Sequence, residues 1–87
     1  MKYINKNMAA LAAASTFFAL TQIYDEISDH FTLGEYDGSF QLTFFSKDNI
    51  HLNDVMSKIK GYIQEAEVTY GYFSNTKKYL ATINFEF

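Results

Sequence analysis

The side chains able to do acid–base or metal chemistry are few and scattered. Histidine occurs only at His30 and His51. His30 follows Asp29 at the end of an apolar-patterned stretch. A cation suits a helix C-terminus, so His30 reads as a cap rather than as a general base. His51 stands three residues before Asp54, one helical turn away. An imidazole and a carboxylate at that spacing can share a metal, but two ligands make a weak site and no third stands at a motif spacing. Glu65 and Glu67 flank Ala66. A carboxylate pair divides acid and base roles when its two environments differ; at a helix-to-strand junction, two glutamates read as solvated. Cysteine is absent, which removes disulfides, thiolate zinc sites and thiol nucleophiles. There is no Gly-rich phosphate loop, nucleophile elbow or dinucleotide fingerprint. The expectation is a chain that is not an enzyme and holds neither cofactor nor metal.

Binding chemistry is better supplied. The chain has nine Phe and seven Tyr and a net charge of −3, and all seven basic residues are Lys. Without Arg, phosphate recognition lacks its bidentate fork. Between Asn7 and Ser46 the charged residues are Asp25, Glu26, Asp29, Glu35 and Asp37, with no Lys among them. Phe31 and Tyr36 lie within this acidic run. Concentrated negative potential steers toward a basic partner, and aromatic side chains inside it can anchor the contact. The expected partner-binding set is therefore Asp25, Glu26, Asp29, Phe31, Glu35, Tyr36 and Asp37. The expected partner is a host protein with a basic nucleic-acid-binding surface, toward which the carboxylates mimic phosphates. An ordinary solvated helix end is the plainer account of the same residues.

Lys without Arg, with frequent Asn, Ile, Tyr and Phe, is what AT-rich codons produce, as in many phages and mobile elements. The leading reading is a small non-enzymatic protein-binding module of that origin, cytoplasmic, inhibiting a host nucleic-acid-processing or defence complex. A second reading is a single-stranded nucleic-acid binder. Tyr70-Gly71-Tyr72-Phe73 lies on a strand, and Phe45 and Phe73 are expected on the outer sheet face, where aromatics stack bases. Lys47, Lys77 and Lys78 make only a thin basic patch for it. A third reading is export, since Lys2 and Lys6 precede an apolar stretch from Met8 to Leu20 as in a signal peptide. That stretch is too short to span a bilayer, and its helical spacing continues through Ile23, Tyr24 and Ile27.

These residues must be positioned by a single α+β domain covering residues 1–87. The pattern predicts a helix from Asn7 to His30, capped by Asn5 or Asn7. Its main apolar face holds Ala9, Ala13, Leu20, Ile23, Tyr24, Ile27 and Phe31, with Phe17 at the edge. Leu11 and Phe18 fall on the reverse face with Ala10, Ala14 and Ser15. An apolar reverse face requires a second wall, so a homodimer through Ala10, Leu11, Ala14, Ser15 and Phe18 is expected. Gly34 and Gly38 make Thr32–Ser39 read as a loop. Alternation predicts a strand over Ser39–Ser46, another over Val68–Phe73, and a third over Tyr79–Phe87, the clearest of all. A second helix is expected from Ile50 to Ala66, with its stripe at Leu52, Val55, Met56, Ile59, Tyr62, Ile63 and Ala66. The expected architecture is an N-terminal helix followed by a β-α-β-β unit, with a three-stranded mixed sheet in the order 1-3-2 covered by helices.

Overall fold

A computed structural model describes residues 2–23, 31–63 and 65–87. The chain is α+β, with an N-terminal helix over a four-stranded antiparallel sheet. Helix α1 (Lys6–Ile23) leads to β1 (Phe31–Tyr36), β2 (Ser39–Ser46), α2 (Asn49–Lys58), a 3₁₀ turn (Lys60–Tyr62), β3 (Glu67–Phe73) and β4 (Lys78–Glu86). The strand order is β1-β2-β4-β3, and every neighbouring pair is antiparallel.

Strand β4 is the centre of this arrangement. It pairs with β2 along its whole length on one side and with β3 on the other. Its alternation sends Ala81, Ile83 and Phe85 to one face, each at most 1% exposed. Leu42 and Phe44 stand opposite Ile83 and Ala81 in β2 and are buried on the same face. Both helices lie there. Ala9, Ala13 and Leu20 of α1 and Leu52, Val55 and Met56 of α2 join these strand residues in one core with Ile59. The small side chains at Ala9 and Ala13 let α1 settle close to the sheet. Thr16 is fully buried between them and Leu20, and its hydroxyl donates to the Ala12 carbonyl at 2.8 Å, with the Tyr62 carbonyl at 3.3 Å. That hydroxyl links α1 to the 3₁₀ turn.

The helix starts follow local chemistry. Asn5 caps α1, its Oδ1 accepting from the Met8 amide at 2.9 Å. Asp48 caps α2 in the same way, accepting from the Ile50 amide at 2.9 Å. The N-terminal segment is tied to the sheet by the Tyr3 amide, which donates to the Glu86 carbonyl at 2.7 Å.

Three expectations are corrected. The sheet has four strands, not three, and is antiparallel rather than mixed; β2, β4 and β3 lie side by side, with β1 added outside β2. The extra strand comes from the segment expected to be a loop. Asp37-Gly38 closes a two-residue hairpin, with Tyr36 facing Ser39 and Gly38 at φ 79°, a conformation that suits glycine. The second glycine, Gly34, sits within β1, where a Cβ would come within 3.0 Å of the Tyr36 ring. The second helix ends at Lys58 rather than Ala66. Ile59 leaves helical geometry at φ −95°, ψ 3°, and the 3₁₀ turn follows. That turn places Gly61 where a long helix would carry its conformational cost. The predicted extension of the first helix through His30 lies outside the described residues.

Phe85 is the largest of the fully buried side chains. Truncating a buried Phe to Ala costs roughly 3–5 kcal/mol, against a total of about 5–15 kcal/mol for a domain. Phe85→Ala is expected to lower the melting temperature by well over ten degrees, or to leave no cooperative transition in a circular-dichroism melt. A midpoint within a few degrees of the wild type would contradict a central β4.

Candidate functional site

The outer face of α1 exposes large apolar side chains. The buried positions Ala9, Ala13, Thr16 and Leu20 occupy one side of the helix. Leu11 and Phe18, half a turn away, are 70% and 65% exposed. Ile4, just before the helix, and Met8 are also exposed. Within the helix Met8, Leu11 and Phe18 are three and seven residues apart, so they line one stripe. Of the other residues expected at a dimer contact, Ala14 is exposed, while Ala10 and Ser15 are half-buried at the stripe's flanks. No charged side chain interrupts it.

The expected acidic set is only partly in view. Asp25, Glu26 and Asp29 lie outside the described residues, as does the side chain of Phe31. Glu35, Tyr36 and Asp37 sit at and beside the β1–β2 turn, all exposed. Glu35 makes an ion pair with Lys6 at the start of α1, a contact that separation in sequence concealed. Lys6 also stands 5.9 Å from the centre of the Phe87 ring. The hairpin tip is thus partly neutralised.

Among the described residues no helix packs on the second sheet face. Gln41, Thr43 and Phe45 of β2 and Leu80, Thr82 and Asn84 of β4 point to it, none of them buried. Register places Thr32, Thr43, Thr82 and Thr69 in one row across all four strands. The Thr43 and Thr82 hydroxyls are 3.4 Å apart. Toward the β3–β4 hairpin the row gives way to an apolar group. Leu80 lies over Gly71, where an added Cβ would meet its side chain at 3.4 Å. The rings of Phe45 and Phe73 are 6.1 Å apart and inclined by 22°.

Among the described residues, the groups singled out for chemistry form no metal-holding cluster. His30 lies outside the described residues. His51 is half-buried near the start of α2, and Asp54 pairs with Lys58 at 3.1 Å. Among the described residues, no group of three or more His, Asp or Glu is close enough to hold a metal ion. Glu65 and Glu67 are both exposed. A shallow groove of about 350 Å³ runs between α2 and β3, lined by Asn53, Met56, Ser57, Lys60, Ile63 and Tyr70. Among the described residues no helix is long and apolar enough to cross a membrane. Comparison with protein-family models, curated proteins and solved structures finds no match.

One titratable group is displaced from its ordinary range. Burial pushes the Tyr3 hydroxyl up, the Glu65 carboxylate adds to this, and a hydrogen bond with the Glu65 backbone opposes both. The folded chain therefore holds this proton more tightly than the unfolded chain. Its contribution to stability is complete below the usual tyrosine value of about 10 and is lost as pH rises through the higher folded value. In denaturant titrations across that alkaline range, Tyr3→Phe is expected to lose less stability than the wild type. Parallel declines for the two proteins would show that Tyr3 is not the group responsible.

Proposed function

We propose that this chain is a non-enzymatic protein-binding module whose contact surface is the outer face of α1, and that the first partner on that face is a second copy of itself. The observation that carries this reading is the uncharged stripe of Met8, Leu11 and Phe18, exposed on α1, with Ile4 exposed just before the helix. A contiguous apolar patch of this kind marks an interaction site in soluble proteins.

The stripe is self-complementary. In an antiparallel pair related by a two-fold axis between Ala14 and Ser15, Leu11 of one copy falls beside Phe18 of the other. The small Ala14 and Ser15 then allow the two backbones to approach at the axis. An isologous contact buries the same patch twice and requires no second kind of surface. The 18 residues of α1 give a contact up to roughly 27 Å long at 1.5 Å per residue.

A further, basic protein partner fits the exposed tip of the β1–β2 hairpin, where Tyr36 stands between Glu35 and Asp37. For a chain of phage or mobile-element origin, that partner would be a host factor acting on nucleic acid. The partner would meet a separate surface, so dimerisation and target binding need not compete.

Leu11→Asp combined with Phe18→Asp tests the contact, since both positions are exposed and the fold should tolerate the change. Light scattering over a concentration series is expected to give twice the chain mass for the wild type and the single-chain mass for the double variant, with unchanged circular dichroism. A wild type that remains at one chain mass at high micromolar concentration would overturn the dimer.

A further inference from the structure

The geometry points to a second binding surface: the open sheet face at the β3–β4 hairpin end, with a single-stranded nucleic acid as its ligand. The strand directions sort the charges of the chain. At one end of the sheet lie Glu35, Asp37, Glu67 and Glu86, from the β1–β2 turn, the start of β3 and the end of β4. At the other lie Lys47, which follows β2, and Lys77 and Lys78 of the β3–β4 hairpin. The described carboxylate nearest this end in sequence is Asp48, already engaged in capping α2. The two ion pairs of the described residues use Lys6 and Lys58, so neither consumes one of these three lysines. Among the described residues this end is therefore lysine-rich although the whole chain is net negative; Asp25, Glu26 and Asp29, which precede β1, lie outside the described residues.

The same end carries the stacking surface. Phe73 is 51% exposed, and its ring lies nearly parallel to that of Phe45. Leu80 fills the space over Gly71 between them. The Thr row and Asn84 extend the face with hydroxyl and amide groups. A duplex would present only phosphates to a flat face. Unpaired bases can lie on the rings while the backbone tracks the lysines, and every base has a face to stack. The charge complement and the aromatics thus favour a single strand over an acidic protein. The surface lies on the opposite side of the sheet from α1, so the α1 contact proposed above leaves it open.

Fluorescence anisotropy with labelled oligothymidylate and oligouridylate, using the full chain at low salt, tests the assignment. Both oligonucleotides are expected to bind. Three phosphate contacts predict a log–log salt slope of about −2. Lys47→Gln, Lys77→Gln and Lys78→Gln together should flatten that slope and remove most of the binding, while Lys2→Gln, at the other end, should change it little. Phe73→Ala should weaken binding about tenfold with little change in slope. No anisotropy change at low salt would overturn the proposal. So would equal competition by polyglutamate, or equal losses from Lys2→Gln and from the hairpin variant.

Discussion

The structure depends on placing both helices on one face of a sheet whose central strand is β4. Ala81, Ile83 and Phe85 form the floor, and Leu42 and Phe44 extend it across β2. Once α1 and α2 share that floor, two surfaces are left over. One is the side of α1 turned away from the sheet, and the other is the opposite face of the sheet itself. In a larger protein a third layer would cover one of them. In a chain of 87 residues the core is a single two-layer unit, and a high share of apolar surface stays at the boundary.

The two leftover surfaces differ in character, and the difference comes from the residues rather than from the fold. The helix stripe is apolar and neutral, fitted to a partner that buries it. The sheet face is mixed, with threonines at its middle and rings at one end, fitted to contacts that keep some water. Charge is distributed along a third direction, from the acidic β1–β2 turn to the lysines of the β3–β4 hairpin. Lys6 moderates this polarity by pairing with Glu35, and the same contact ties the start of α1 to the hairpin.

Much of this was legible in the sequence, for reasons that differ by element. Strand β4 was readable because one-residue alternation admits only one two-faced structure. The reverse face of α1 was readable because Leu11 and Phe18 stand seven apart, opposite Ala9 and Ala13. Strand β1 was not, because two glycines in five residues carry the composition of a loop. The better signal there is Asp37-Gly38 between Tyr36 and Ser39-Phe40, a hairpin pattern that the glycine count obscures. The end of α2 was misread because Ile59, Tyr62, Ile63 and Ala66 keep helical spacing. The chain instead leaves the helix at Ile59 and still packs Ile59, Ile63 and Ala66 against the core, while Tyr62 in the 3₁₀ turn is exposed. The bond between Lys6 and Glu35, and the meeting of Phe45 with Phe73 across β4, depend on long-range pairing and leave no local trace.

The central place of β4 also has a consequence during synthesis. It is the last strand in chain order, and β3 has no strand neighbour but β4. While the chain is made from its N-terminus, α1, the β1–β2 hairpin and α2 emerge with half their floor missing. The 32 positions from Ser46 to Lys78 correspond to roughly two to six seconds of translation at ordinary rates. Through that interval Leu42, Phe44 and the buried side of α1 lack the strand that will cover them. Commitment to the native topology waits on the arrival of a single nine-residue strand.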